Sequence, residues 1–234
     1  MKTKALSVLG GISVPLILAG TAHAGFVGIS VVTKAPGGGL PANSLVCNVF
    51  ATFTRPGQDL FLSAAGTPAS PMNISVIGGT FYQNQFGSDK APNCTLICFP
   101  SQAVDTFVTI GVKKVGAPGG QPQDVLNLTP GWPGFTPTAL TGTNLGWAVT
   151  PNDAQADPFN TAYVNGNGQV LIGQFTVANP LPSTRIHGFF RVLVRSNNVA
   201  TQFNVKFDHA VPSPGALALL GTAGLIGTRR RRRV

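Results

Sequence analysis

The sequence predicts an all-β protein, a single antiparallel β-sandwich or jelly-roll-like body, and three observations predict it. Helix-forming material is scarce: the 234 residues include no glutamate and only two methionines, against 29 glycines and 19 prolines. Apolar and polar residues alternate with period 2 in six segments, as in strands with one buried and one solvated face. Clusters of Gly, Pro and Asn separate those segments and supply the turns between them.

In chain order, the first element is not part of the body. Lys2 and Lys4 give a positive start, Ala5 to Leu18 an apolar run, and Ala22-His23-Ala24 a small-residue cleavage site. This is the order of a secretory signal peptide, so residues 1–24 address the chain to a Sec-type export machinery and Gly25 begins the mature protein.

The body, residues 25–210, follows. Phe26 to Lys34 places Val27, Ile29 and Val31 on one face, and Leu45 to Phe53 aligns Leu45, Cys47, Val49, Ala51 and Phe53. Asp105 to Val115 alternates Val108, Ile110 and Val112 with Thr109, Gly111 and Lys113. Gln169 to Val177 aligns Leu171, Phe175 and Val177, with Gly173 interrupting. Ile186 to Arg195 sets Phe190, Val192 and Val194 opposite His187, Arg191 and Arg195, and Thr201 to Phe207 sets Phe203, Val205 and Phe207 opposite Gln202, Asn204 and Lys206. Weaker strands are expected at Leu60–Ala64, Asn73–Ile77, Thr80–Phe86 and Leu145–Thr150. Asn165-Gly166-Asn167-Gly168 suits a hairpin turn with φ > 0. Gly116 to Leu145 is strand-poor and is expected to wrap the sandwich as an ordered loop. A body of this length buries roughly 70% of its unfolded surface, enough for one core.

The last element, residues 211–234, has three parts. Pro212-Ser213-Pro214 forms a turn that separates it from the body. Gly215 to Thr228 carries no charged side chain, and Arg229, Arg230, Arg231, Arg232 and Arg233 nearly close the chain. The run is short of the ~20 residues that span a bilayer, yet its small apolar residues suit a hydrophobic helix held in lipid, with the arginines on the cytoplasmic side. Pro-x-Pro, small apolar run and terminal Arg cluster together resemble the PEP-CTERM sorting signal. Its usual Glu between the prolines is Ser213 here. The resemblance covers the last 24 residues and implies a bacterium that makes exopolysaccharide. It also implies processing by an exosortase-like membrane enzyme, and a chain that passes through the inner membrane to the cell surface or extracellular matrix. An ordinary anchor with stop-transfer arginines is the plain alternative. A glycolipid-exchanged anchor should end on its apolar run, which this chain does not.

Charge argues against nucleic acid. Of the formal +9, Lys2, Lys4 and the five terminal arginines account for seven, leaving a net of two on a body whose cations are spread along the sequence. Cys94 and Cys98 can pair if Thr95 to Ile97 turns, since four extended residues span ~13 Å, beyond disulfide reach. Cys47 sits on an apolar face as a buried thiol, with a bridge to either of the others as an alternative. A zinc site of three cysteines and one histidine is disfavoured by export into an oxidising compartment.

No catalytic motif is present, and only His187 and His209 remain after signal removal, so no catalytic residue and no cofactor are assigned. Asn152, Asp153, Asp157 and Asn160 form the one calcium candidate, without the spacing or final glutamate of a calcium loop. Their plainer reading is a polar loop with turn-capping aspartates. Trp132, in a Gly-Pro loop, is the candidate for stacking on a sugar ring, with core packing as its alternative, whereas Trp147 reads as core. Asn73, Asn93 and Asn127 begin acceptor triplets that read as chance in a bacterium. The reading favoured is an exported, non-catalytic surface or matrix protein. A carbohydrate- or calcium-dependent binding module is second.

Overall fold

Hydrophobic alternation organises the chain into two antiparallel sheets around a shared core, as seen in a computed structural model that describes residues 25–34, 43–95, 99–116, 120–163 and 165–212. The first sheet is built on β2 (Ser44–Phe53) and β11 (Gln169–Ala178), paired along their length. β1 (Phe26–Lys34) extends it beyond β2. The far side of β11 is shared by three short strands, β5 (Thr80–Phe81), β6 (Phe107–Val108) and β10 (Asn165–Gly166).

The second sheet repeats the arrangement around β12 (Arg185–Ser196). One side of β12 pairs without a register break with β13 (Val199–Ala210). The other side is divided between β3 (Asp59–Ala65) and β4 (Met72–Ile77). β9 (Gly146–Ala148) and β7 (Asn127–Leu128) continue from β3, and β8 (Ala139–Gly142) from β4. Single 3₁₀ turns occupy Gln102–Val104 and Ala154–Ala156.

Most inward residues are those the alternation assigns, but Val27 is exposed and Val170 and Ile172 rather than Leu171 line the core with Phe175 and Val177, because register shifts fall at Phe26/Gly28 and Leu171/Gly173. Leu45, Cys47, Val49, Ala51, Phe175 and Val177 from the first sheet meet Phe61, Ile74, Ile186, Phe190, Val192 and Val194 from the second. Aromatic edges link the far wall: Trp132 is T-shaped on Trp147 at 6.4 Å, Trp147 lies 6.2 Å from Phe190, and Phe190 is T-shaped on Phe207 at 6.3 Å. Such pairs add to the stabilisation that area burial already gives.

Two turns fix register. Asn167 and Gly168, with φ of 53° and 78°, make the expected hairpin between Gly166 and Gln169. A Cβ at Gly168 would lie 2.2 Å from the Phe53 carbonyl oxygen, so no larger residue fits. Asn197 and Asn198, with φ of 49° and 63°, make the same kind of turn between β12 and β13.

Three expectations are corrected. Of Asp105 to Val115 only Phe107–Val108 is strand, and residues 105–112 are buried on both sides. Gly111 at φ 72° and a Thr109 hydroxyl that accepts from the Val112 amide bend the chain away from extension. Thr80–Phe86 keeps only its first two residues as strand, because Asp105 Oδ1 and Asn84 Oδ1 capture the amides of Asn84 and Phe86 in turns. Gly116 to Leu145 does more than wrap: β7 and β8 add to the second sheet. The expected signal peptide and the C-terminal segment from Ser213 lie outside the described residues.

The two faces of β12 and β13 make a stability contrast. Phe190→Ala, which empties a ring 1% exposed, should lower unfolding free energy by about 3–5 kcal/mol, whereas Lys206→Ala on the outer face should change it by no more than about 0.5 kcal/mol. Urea unfolding followed by tryptophan fluorescence reads both.

Candidate functional site

Alternation along β12 turns Arg185, His187, Phe189, Arg191, Leu193 and Arg195 outward, since Ile186, Phe190, Val192 and Val194 are buried. Register then assembles a surface from residues distant in sequence. Across β13, Asp208 stands beside His187, Lys206 beside Phe189, Asn204 beside Arg191 and Gln202 beside Leu193. On the other side lie Ser75, Asn73, Ala65 and Ser63. Four of the body's nine cationic side chains share this face with one carboxylate, although in sequence they read as thinly spread.

That carboxylate neutralises one end only. Arg185 Nε donates to Asp208 Oδ1 at 2.7 Å, and His187 Nδ1 lies 3.2 Å from the same oxygen. The Arg185 hydrogen bond holds the Asp208 carboxyl below its ordinary range. Arg191 instead donates through Nη1 to Gln202 Oε1 at 3.1 Å and through Nε to Asn204 Oδ1 at 3.4 Å. Arg195 donates through Nη2 to Asn152 Oδ1. Both guanidinium groups are therefore oriented by neutral amides, and neither makes an ion pair among the described residues. Phe189, 39% exposed, supplies an apolar ring beside them.

Arg195 also reaches a polar cleft of ≈ 210 Å³ at the end of the sheet, formed with Gln58, Asp59, Asp157, Asn197 and Asn198. Asp59 is 1% exposed, and its two oxygens accept the amides of Gly25 at 3.4 Å and Arg55 at 3.1 Å. Of the calcium candidates Asp157 lines this cleft and Asn152 meets it through Arg195, and each of the four spends one side-chain oxygen on the chain. Asp153 Oδ1 caps Gln155, Asp157 Oδ1 caps Phe159, Asn160 Oδ1 caps Ala162, and Asn152 serves Arg195. Among the described residues no three His, Cys, Asp or Glu side chains group as a metal site.

Trp132 packs as its alternative reading had it: half-buried against the core, with its indole N–H donated to Asp89 Oδ2 at 2.8 Å. Cys47 is a buried free thiol whose proton affinity burial pushes up to about 11. Cys94 is buried, and Cys98 lies outside the described residues, which leaves the Cys94–Cys98 bridge an expectation. His209, near the end of the body, is buried. Its Nε2 is hydrogen-bonded to Thr33 Oγ1 at 2.7 Å, and burial lowers its pKa. Thr33 Oγ1 is also 3.5 Å from Cys47 Sγ. The three groups form no reactive centre, because a fully buried thiol with a raised pKa supplies little thiolate.

Comparison with protein-family models, curated proteins and solved structures finds no match. No helix of the described residues is long and apolar enough to cross a membrane. Of the expected sorting residues Pro212 is described, immediately after Val211, which is 1% exposed and donates its amide to the Thr184 carbonyl at 2.8 Å.

One buried carboxyl yields a pH prediction. Burial pushes Asp105 up to about 6, whereas in the unfolded chain it titrates near 3.9. The folded protein thus holds this proton more tightly, so its contribution to stability is present below about pH 4 and is lost as pH rises through about 6. Asp105→Asn should remove that decline, read as a flatter Tm between pH 4 and 7.

Proposed function

We propose that this chain is an exported, non-catalytic surface or extracellular-matrix protein of a bacterium, carried through the inner membrane and sorted by a PEP-CTERM-like tail. On this reading residues 1–24 are removed, residues 25–210 are a β-sandwich that does the work outside, and residues 211–234 are the segment an exosortase-like enzyme recognises. The sorting determinants are Pro212, Ser213, Pro214 and the arginines Arg229, Arg230, Arg231, Arg232 and Arg233.

What supports this is the pair of contacts at the two ends of the described body, each next to one of the two sequence addresses. At one end, Gly25 N donates to the buried Asp59 at 3.4 Å, directly after the Ala22-His23-Ala24 cleavage site. Cleavage after Ala24 would turn that amide into an ammonium group facing a carboxylate 1% exposed. A buried carboxylate gains most from a cation close by, and signal removal would deliver one. At the other end β13 stops at Ala210, Val211 closes against Thr184, and Pro212 opens the tail. The second reading, a saccharide-binding module, is favoured by the cationic face around Arg191.

Two measurements test the export reading. Mass spectrometry of the chain recovered from its own cell should give Gly25 as first residue. Deleting residues 212–234 should shift the protein from the cell surface to periplasm or medium, and unchanged localisation would refute the sorting role. A companion prediction concerns Asp59. In the processed chain its carboxylate should raise the pKa of the Gly25 ammonium group, unperturbed near 7.7–8.0. The stability from this pair would then be full below about pH 8 and lost as pH rises through the raised value. Asp59→Asn should destabilise the processed protein by about 3–5 kcal/mol and abolish that alkaline loss. Equal stability of wild type and variant at pH 7 would remove the pair from the account.

A further inference from the structure

Resting on the reading of an exported surface protein, we propose that the outer face of β12 and β13 binds a linear carboxylated polysaccharide, with Arg191 and Arg195 as its two carboxylate-binding groups. Charge complementarity carries the choice of occupant. Arg185, Arg191, Arg195 and Lys206 share the face with Asp208, which Arg185 already engages. Neither Arg191 nor Arg195 makes an ion pair among the described residues, although Asp157 and the buried Asp59 line the cleft that Arg195 borders. The hydrogen bonds of the two arginines run to Gln202, Asn204 and Asn152, all neutral amides.

Orientation sharpens the point. An amide oxygen that accepts one N–H from a guanidinium fixes the plane of the group and leaves other N–H donors for a ligand. A planar fork with free donors matches a carboxylate, which accepts two parallel hydrogen bonds. Four strand residues separate Arg191 from Arg195, or ~13 Å along β12. That separation exceeds one sugar ring, so a polymer with repeating carboxylates reaches both groups and a single acidic sugar does not.

The rest of the face suits sugar hydroxyls. Asn73, Asn204 and Gln202 offer both donors and acceptors, and the half-exposed Phe189 ring stands among them as a platform for a sugar's C–H face. The surface is an open row rather than a pocket, which admits a chain passing through. Single-stranded nucleic acid fits less well, because its binders line a groove with several stacking aromatics and this face has one. A lipid surface fits less well too, since the large apolar groups exposed around the arginines, Phe189, Ile77 opposite Arg185 and Val199 at the turn, are set apart by polar side chains and form no continuous apolar stripe.

The test uses the full chain with polygalacturonate as probe, at low and high salt, beside neutral dextran, galacturonic acid monomer, oligo-thymidine and phosphatidylglycerol vesicles. Polygalacturonate should bind, weaken as salt rises, and resist competition by the monomer at equal sugar concentration. Dextran should not bind. Arg191→Ala with Arg195→Ala should weaken polygalacturonate binding roughly tenfold, the cost of about 1.4 kcal/mol, with Tm unchanged. Should the alanine pair unfold, Arg191→Lys with Arg195→Lys carries the test. Charge is kept and the fork lost, so affinity should still fall severalfold. No binding of polygalacturonate, or equal binding by either folded variant, overturns the proposal. Tighter, Arg191-dependent binding of oligo-thymidine or vesicles overturns the choice of occupant. Surface display of the arginine variants separates the two readings. A chain displayed normally that fails to bind sinks only this one, and a chain that never leaves the cytosol sinks the export reading instead.

Discussion

Strand β11 is buried from Val170 to Val177, and the need to satisfy its buried N–H donors shapes the first sheet. Gln174 and Thr176, both 0% exposed, point away from the core that Phe175 and Val177 fill. A buried amide without partners costs more than a made hydrogen bond returns, so a segment of chain must lie over that side. It does. Gln174 Nε2 donates to the carbonyls of Ala103 and Asp105 at 3.1 and 3.0 Å, and the Thr106 hydroxyl accepts the Thr176 backbone amide at 3.0 Å, while Gln174 Oε1 and Thr176 Oγ1 have no partner among the described residues. The same demand explains why residues 105–112 are buried without being regular strand. Their amides reach β11 as single bonds, Thr109 to Ile172 and Gly111 to Leu171, beside a register shift between Leu171 and Gly173. Trp147 and Gln155 close the remaining carbonyls of Thr109 and Ile110.

The division of labour between the sheets follows. Loops cover the first sheet, so β2 and β11 lose their solvated face and the alternation there marks polar residues that are buried. On the second sheet β12 and β13 keep one face in water, and period 2 means there what it usually means. The long connections near β11 leave the β12–β13 face without a cover among the described residues. Where β1 and β13 meet at the side, Thr33 to His209 and Phe26 to Phe203 tie the edge of one sheet to the edge of the other. Those ties protect strand edges that would otherwise present unpaired backbone.

How much of this was legible in the sequence depends on whether a signal was local. Long strands with one wet face were: Phe203, Val205 and Phe207 against Gln202, Asn204 and Lys206 needs no partner to be recognised. Asn165 to Gly168 was also legible, because φ > 0 is written in the residue types. The Asn197-Asn198 turn carried the same kind of signal and went unused. β5, β6, β7 and β10 are two residues each, too short to show a period, and exist because a neighbouring strand has bonds to offer. Asp105 to Val115 misled because alternation cannot distinguish a half-wet strand from an irregular segment buried on both sides. The candidate face lay between these cases: His187, Arg191 and Arg195 could be placed on one side of a strand, but Asp208, Lys206 and Asn204 join them only through register.

Register is also why net charge misjudged the surface. A net of two spread over 186 residues suggests a protein indifferent to charged partners, but an average carries no information about direction. Two strands of period 2 joined by a two-residue turn keep outward residues on one plane, so every cation at an outward position adds to one field. Arg185, Arg191, Arg195 and Lys206 all occupy such positions, while six of the seven aspartates lie outside β12 and β13. Among those, Asp59 and Asp105 are buried, and Asp153 and Asp157 cap turns. The acidic groups are thus largely spent within the fold, and the basic groups of this face are largely displayed. A nearly neutral body acquires a cationic surface because the fold uses its carboxylates internally, and the surface it leaves for a partner follows from that use.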